Sequence, residues 1–414
     1  MIIKLSKLLY ILFIFYLGLI SDIYGVIPGA SFVLGSGMIF ILLLSKFLSK
    51  TNNQIVLSSS FNLFVLFCFY ALISGVFVAT DTIHLLDSIF TYVQILGLIF
   101  FVINVSMVDK DNDFFIKSFI AFSLVYAIYM LFWGHTRVDG RLTLTFGVNP
   151  NNAARILLYG FALILLQIKT NNIKNLLFSF SISGLFIYLI LETGSRKAFY
   201  GAGLLLILWL VFTFKDYWKS YNHIKKIFIS IAGLTIFVFI IINFLDVFLE
   251  SSTYSRLIGK GVSLTDDPIR AGMYYEAYNF FASSPFVGIG FNQFRNLSVY
   301  GTYSHSTYAE LLSTTGVIGT TIYLLAYFII IKDLFIIRFK SYSNITAVKS
   351  TVYIIIFFIM LILGTGVIHF YGIIDNIVIA ITIAFIYVEK KKLKNNNVPN
   401  NRGGRYSAKV KSNN

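Results

Sequence analysis

The residue types that could do chemistry in this sequence are seven arginines and one histidine that lie at or between the ends of apolar runs. An arginine side chain presents a rigid fork of N–H groups that binds phosphate oxygens through parallel hydrogen bonds. An imidazole, whose ordinary pKa is about 6.5, can take a proton from a hydroxyl group near neutral pH. These residues suggest a site for an anionic group, with His305 as a general base. The arginines are Arg137, Arg141, Arg155, Arg196, Arg256, Arg270 and Arg295.

The composition indicates that membrane-spanning helices must position these residues. Of the 414 residues, 57% are hydrophobic and only 12% are charged, whereas a soluble domain carries roughly 25% charged residues. A surface with so little charge must face lipid over most of its area, which excludes a soluble globular domain. The net charge of +15 follows from lysines in cytoplasmic loops, so we do not expect a nucleic-acid partner.

The apolar runs predict an all-α, polytopic bundle of about 12 transmembrane helices, since one spanning helix needs about 20 apolar residues. The first run lacks a following small-x-small cleavage pattern, so we interpret it as a retained helix and not as a signal peptide. The twelve predicted spans are 5–21, 26–45, 60–79, 88–105, 114–133, 152–168, 174–191, 198–214, 226–249, 315–335, 350–368 and 373–388.

The loop charges predict that both termini are cytoplasmic, because this orientation places 24 of the 33 cations inside. The other nine fall on the outer side, and seven of these are arginines, whereas 21 of the 24 cytoplasmic cations are lysines. Positive charge is disfavoured on the outer side, so the arginines placed there indicate an anionic ligand. A polyprenyl pyrophosphate is one example. Alternatively, these arginines contact lipid phosphates or pair with the outer carboxylates, which are Asp139, Glu192, Asp266, Asp267 and Glu276.

The domain organisation predicted from these patterns is a transmembrane helix bundle over residues 1–388 and a disordered, basic cytoplasmic tail over 389–414. Within the bundle, residues 250–314 form the one long polar stretch between predicted spans. Loops of this length in compact folds are usually functional. We therefore expect a partly helical outer loop that contributes to catalysis.

Two helix-start patterns lie in the outer segments. Asn149 followed by Pro150 is typical of an N-cap and the first helical residue. The Gly194-Ser195 turn places Arg196 at a helix start, where backbone N–H groups add positive potential for an anion. The alternative for Arg196 is a side chain that extends from a helix end to the membrane surface.

The segment around His305 carries a third pattern. His305 is the only histidine of the long outer loop, and its alternative role is that of a helix-start residue at the membrane surface. Thr307-x-x-Glu310 matches a capping box, which predicts that Glu310 caps the helix that follows His305. For the histidines predicted at other outer turns, interfacial packing is the expected role; these are His84, His135 and His369.

Four stretches within residues 135–335 resemble conserved segments of the O-antigen ligase and O-antigen polymerase superfamily. Their order, spacing and shared placement on the predicted outer side carry the likeness. The stretches are Arg141 to Ala154 (RLTLTFGVNPNNAA), Thr193 to Ala198 (TGSRKA), Asp267 to Gly290 with its SPFVGIG turn, and His305 to Gly319 (HSTYAELLSTTGVIG).

The resemblance implies a transferase that acts on undecaprenyl-pyrophosphate-linked oligosaccharides at the outer face of the cytoplasmic membrane. An acceptor hydroxyl attacks the anomeric carbon of the donor, and the lipid pyrophosphate leaves. Arg196 and Arg270 would stabilise the leaving group, as preorganised cations do in water-poor sites, and His305 would be the base. Neither a metal nor another cofactor is implied. The residues expected to bind substrate are Arg137, Arg141, Arg155, Tyr308 and Glu310.

A repeat-unit polymerase is the favoured function, with a flippase and a chain-length regulator of the same pathway as expected partners beside membrane lipids. A ligase that moves finished polymer to an acceptor is the near alternative, since no residue separates the two. A transporter or flippase is the alternative of another class. Transporters tend to carry ionisable residues inside the bundle and broken helices, whereas the predicted spans are almost free of charge.

Overall fold

The computed structural model describes residues 2–27, 29–48, 54–168, 173–220, 248–249, 251, 253–254, 268–341 and 343–396. These residues are almost entirely helical, and their only strands form one short hairpin. The predicted all-α, polytopic fold class is therefore confirmed.

The elements follow one another along the chain as long helices joined by short turns, and a π-helical turn (Tyr16–Ile20) joins the first two. They are α1 (Ile2–Phe15), α2 (Ser21–Tyr24), α3 (Ala30–Leu48), α4 (Ser59–Val78), α5 (Thr82–Asp109), α6 (Asp113–Trp133), β1 (His135–Thr136), β2 (Leu142–Thr143), α7 (Pro150–Gln167), α8 (Ile173–Glu192), α9 (Arg196–Ser220), α10 (Pro268–Ser283), α11 (Phe294–Leu297), α12 (Thr307–Lys340), α13 (Asn344–Leu363) and α14 (Ile373–Asn396).

Seven spans in the described part of the chain are long and apolar enough to cross a membrane, judged by length and composition, and the protein is a multi-pass membrane protein. Eleven of the twelve predicted spans coincide with helices. The twelfth, 226–249, falls almost wholly outside the described residues. The seven spans are Ile3–Tyr24, Ala30–Leu48, Ser59–Val78, Thr82–Asp109, Asp113–Trp133, Thr307–Lys340 and Asn344–Leu363.

Polar side chains define where many helices begin, because the first N–H groups of a helix have no partner inside it. The Asn149 side chain accepts a hydrogen bond from Asn151 N at 2.9 Å, and Pro150 opens α7 as predicted. Side-chain oxygens cap α4, α5, α12 and α13 in the same way; these belong to Ser58, Asp81, Ser306 and Ser343.

The helices pack into one continuous apolar core. In this core α14 lies along α5, α12 contacts α4 and α13, and α7 lies between α6, α8 and α9. Small residues allow close approach where lipid provides no hydrophobic drive for association. At Gly160 of α7, for example, an added Cβ would lie 2.6 Å from the Ser123 side chain of α6.

The helix α12 is broken at Gly316, whose φ of 62° and ψ of −169° are not helical. The segment 284–290 packs into this break, since Val317 N donates to Pro285 O (2.8 Å) and Gly290 N donates to Thr314 O (3.0 Å). The predicted span start at 315 therefore coincides with the break. Residues 307–315, a short helical segment of about two turns, precede the break. They belong to the loop region that contains His305.

The last helix extends beyond the boundary predicted at residue 388. α14 continues to Asn396, Lys390 pairs with Asp333 of α12 at 2.6 Å, and Lys392 pairs with Glu389 at 2.6 Å. Lysine is a good helix former, and the ion pairs support the last turns. A boundary placed by hydropathy stops where the apolar run stops, so it misses this extension. Residues 397–414 of the predicted tail lie outside the described residues.

Candidate active site

Arg141 organises the loops at the end of the bundle that carries the β1–β2 hairpin. Its Nε donates to Thr193 O at 2.7 Å, and its Nη2 donates to Asn151 Oδ1 at 2.8 Å. The side chain is buried. Arg141 thus joins the hairpin, the turn before α9 and the first turn of α7, which is a positioning role for a residue that was expected to bind substrate.

A cavity of about 80 Å³ opens beside these loops, several times the roughly 10–15 Å³ that one water requires. Four of its lining side chains are cations and, among the described residues that line it, none is acidic, so we call it the cation cavity. Its walls also include Ser195 and the segment 363–367 after α13. The cations are Arg155, Arg196, Lys197 and Arg270.

Three helices begin at the cation cavity. Asn151 lies in the first turn of α7, Arg196 opens α9, and Arg270 is the third residue of α10. Gly194, with a φ of 64°, makes the tight turn that separates α8 from α9. Because helix N-termini carry partial positive charge, their potential adds to that of the four side chains. The arrangement favours a multiply charged anion.

Lys197 precedes the apolar part of α9 and adds a cation that was not among the predicted site residues. Its Nζ donates to Thr365 Oγ1 at 2.6 Å. Burial, together with the nearby charges of Arg270 and Arg196, lowers the pKa of Lys197 to about 8. A bound anion would offset the repulsion between Lys197 and these two arginines.

Arg155 lies on the bundle side of the cavity, in an ion network that the sequence did not predict. Its Nη1 lies 2.8 Å from Asp375 Oδ2. His369 Nδ1 and the Tyr159 hydroxyl reach Asp375 Oδ1 at 3.1 and 2.7 Å. The expectation of interfacial packing for His369 is wrong, because this side chain is buried. The expectation of spans nearly free of ionisable groups also fails at the starts of α7 and α14.

His305 lies in the bend that precedes α12 and is not one of the residues that line the cation cavity. It has a φ of 58°, and its ring lies 4.4 Å from the ring of Tyr303. Two residues further on, Thr307 N donates to Gly364 O (2.8 Å) and Thr307 Oγ1 donates to Val367 O (2.7 Å). The turn that carries His305 is thereby fixed to the segment that lines the cavity.

The predicted capping box at Thr307 and Glu310 is displaced by one residue. The N-cap is Ser306, whose Oγ accepts from Ala309 N at 3.4 Å. The Glu310 carboxylate, which is fully buried, instead accepts from Ser304 N at 2.8 Å. Ser306 and Thr307 can both cap a helix, and the sequence alone does not choose between them.

The remaining predicted site residues lie outside the cation cavity. The Tyr308 hydroxyl donates to Leu361 O at 2.7 Å, which ties α12 to the end of α13. Arg137 is exposed at the hairpin and lies 3.6 Å from Asp139. Arg256 falls outside the described residues. The structure thus brings Arg155, Arg196 and Arg270 together and leaves Arg137 and Tyr308 apart from them.

Two residues of this region were not predicted, and their sequence signals differ in strength. Lys197 follows Arg196 directly, so its place at the same helix start was available from the sequence. Asp375 is an acidic residue in the first turn of an apolar helix, a position that suggests a buried partner. Its pairing with Arg155 depends on how α7 and α14 approach each other.

Comparison with known families agrees with the motifs. A family model described as O-antigen ligase matches residues 181–324, and this confirms the resemblance to the O-antigen ligase and polymerase superfamily. Among curated proteins, none matches the chain. The matched segment contains Arg196, Lys197, Arg270 and His305. It supports a function of the O-antigen ligase or polymerase type, that of a membrane glycosyltransferase-like enzyme.

Proposed function

We propose that this chain joins oligosaccharide repeat units carried on undecaprenyl pyrophosphate at the outer face of the cytoplasmic membrane, to form an O-antigen or capsular polysaccharide. The observation that carries the proposal is the cation cavity, where four cations and three helix N-termini converge and where no lining residue in the described part of the chain is acidic. A pyrophosphate matches this site in charge and in the number of its hydrogen-bond acceptors.

The proposed reaction transfers a glycan from the lipid carrier to a hydroxyl group. The acceptor oxygen forms a bond to the anomeric carbon of the donor while the bond from that carbon to the pyrophosphate oxygen breaks. The electron pair of the broken bond stays on the pyrophosphate, whose added negative charge Arg196, Lys197 and Arg270 stabilise. His305 takes the proton of the acceptor hydroxyl.

The supporting residues have positioning roles in this proposal. Arg141 holds the starts of α7 and α9 together. Asp375 holds Arg155 at the cavity wall. Thr307 fixes the His305 turn to the segment 363–367. In this proposal the distance between His305 and the cations of the cavity therefore stays constant while the sugar chain moves between reactions.

The lysine distribution supports the proposed orientation, with both termini in the cytoplasm of the bacterial cell. The cation cavity then faces outward, where flipped lipid-linked repeats arrive. A flippase that supplies the repeats and a chain-length regulator are the proposed partners.

A ligase is the second candidate, because the matched family model is described as O-antigen ligase. Both activities break the same bond in the donor and differ in the acceptor. The cation cavity fits either function, so the choice depends on the product.

The test uses cells that lack the gene, complemented with wild type, His305→Ala or the control His135→Ala, with the polysaccharide resolved as a size ladder. His135 is exposed on the hairpin. A full ladder from wild type and the control, with single lipid-linked repeats from His305→Ala, is expected. Long polymer still bound to the carrier lipid in cells without the gene would identify a ligase. Repeats held at the cytoplasmic face would identify a flippase.

A further inference from the structure

The buried carboxylate of Glu310 has no part in the reaction as described so far. Its Oε2 accepts from Ser304 N at 2.8 Å, and its Oε1 is buried without a hydrogen-bond partner in the described residues. A carboxylate in such a place costs desolvation free energy that an apolar side chain would avoid. The helix does not need it as a cap, because Ser306 fills that role.

The contact made by Glu310 lies one residue from His305, which has an unusual backbone conformation. His305 has a φ of 58°, a conformation uncommon for residues other than glycine. Two further hydrogen bonds cross its turn: Ser304 Oγ donates to Ser306 O at 3.1 Å, and Ser306 N donates to Ser304 Oγ at 3.4 Å. Conformations of this kind persist where the surroundings over-determine them, often at functional sites.

We infer that Glu310 is a positioning residue: its buried carboxylate anchors Ser304 and thereby holds His305 in the left-handed conformation that presents the imidazole to the acceptor hydroxyl. This inference rests on the proposed function of His305. The anchor is short, because Glu310 Oε2 bonds directly to the Ser304 amide and His305 is the next residue along the chain. Through Ser306 and Thr307, the same turn connects to the wall of the cation cavity.

The experiment compares Glu310→Gln and Glu310→Ala with wild type in the full-length, detergent-purified protein. The reaction of His305 with diethyl pyrocarbonate is followed by peptide mass spectrometry, and polymer is measured in cells. Glu276→Ala is the matched control. Glu276 also accepts a loop amide, from Val299 N at 3.3 Å, but on a different turn.

The glutamine variant keeps an acceptor oxygen for Ser304 N, so we expect a modification rate and a ladder close to those of wild type. The alanine variant loses the anchor. We expect its His305 modification rate to change several-fold and its polymer yield to fall about 100-fold, the loss that a small misplacement of a reacting group causes. Glu276→Ala should leave His305 unaffected.

A wild-type modification rate of His305 in Glu310→Ala would overturn the inference, whatever the polymer yield. Equal losses of polymer in Glu310→Gln and Glu310→Ala would show that the hydrogen bond from Ser304 N to Glu310 does not position His305. Should Glu310→Ala not reach the membrane, Glu310→Asp replaces it, because the shorter carboxylate does not reach Ser304 and should show the same loss. Full polymer from His305→Ala, with His305 reactivity still altered in Glu310→Ala, would refute the proposed function and leave the anchor in place.

Discussion

At the scale of single residues, the cation cavity predicts that charge alone is insufficient at Arg270. Arg270→Lys keeps the positive charge but loses the planar fork that makes two parallel hydrogen bonds to phosphate. We expect a fall in polymer synthesis of about 100-fold, as for the loss of one transition-state donor. Arg137→Lys, at an exposed pair outside the cavity, is the control and should match wild type. Equal activity of both variants at equal expression would remove Arg270 from the pyrophosphate site.

The lowered pKa of Lys197 predicts how activity depends on pH. Lysine is cationic below its pKa, and a pKa of about 8 means that Lys197 loses its charge as the pH rises through this value. We expect the affinity for the lipid-linked donor to decrease from about pH 7 to about pH 9. Lys197→Arg stays charged over this range and should flatten the profile. The measurement is the apparent KM of purified enzyme at each pH, and parallel profiles for both proteins would contradict the assignment.

The buried ion network predicts a stability effect at Asp375. Asp375→Asn leaves the Arg155 guanidinium buried without its counter-charge, and breaking a buried pair in this way costs about 3–5 kcal/mol. We expect a clear fall in the melting temperature of the purified protein. Asp139→Asn breaks an exposed pair and should cost less than about 1 kcal/mol. Similar melting temperatures for the two variants would show that the network does not stabilise the bundle.

The same residues show how far sequence reasoning reaches at this scale. Arg196 and Arg270 could be selected because arginine is rare in this chain and stands where the loop charges disfavour cations. Arg155 was selected for the same reason, but its contact with Asp375 joins residues that lie far apart in the sequence. No local pattern encodes such a pair. Its existence depends on the packing of α7 against the last helices.

At the scale of elements, the break in α12 is specified by glycines. Gly316 and Gly288 both have positive φ. A Cβ at Gly316 would lie 2.3 Å from the Phe286 carbonyl, and one at Gly288 would lie 2.4 Å from the Thr314 carbonyl carbon. We expect Gly316→Ala and Gly288→Ala to prevent the 284–290 segment from entering the break, with loss of folded protein in size-exclusion chromatography.

Gly184→Ala and Gly203→Ala serve as controls for this prediction, because no atom in the described part of the chain lies within 4 Å of a Cβ at either helical position. Alanine favours a helix by up to about 1 kcal/mol over glycine, so both controls should fold at least as well as wild type. Normal folding of Gly316→Ala would mean that the backbone at the break can relax.

Element boundaries were predicted where one strong signal dominates. The Asn149-Pro150 start has a distinctive residue at the critical position, and the span start predicted at residue 315 coincides with the break at Gly316, which was not itself predicted. The start of α12 was displaced by one residue because two adjacent hydroxyl side chains compete for the N-cap. The end of α14 was missed because ion pairs, and not hydropathy, extend that helix.

At the scale of the whole molecule, the chain builds its site from helix ends that are far apart in sequence. The hairpin after α6, the starts of α7, α9 and α10, and the turn between α13 and α14 meet at one end of the bundle. Apolar length predicted where most of the helices lie, although only seven spans in the described residues are long and apolar enough to cross a membrane. The cavity itself requires the packed structure, because it forms only where these helix ends meet.

This arrangement leads to a prediction about the topology of the protein in the cell. Cys68 is the only cysteine, so Cys68→Ser provides a background for single-cysteine variants. Val138→Cys places a thiol at the hairpin beside the cation cavity, and Phe339→Cys places one at the far end of α12; both native side chains are exposed. A membrane-impermeant maleimide should label position 138 in intact cells and position 339 only after permeabilisation. The reverse pattern would place the cation cavity in the cytoplasm, where flipped lipid-linked repeats are not available, and the proposed polymerisation at the outer face would be wrong.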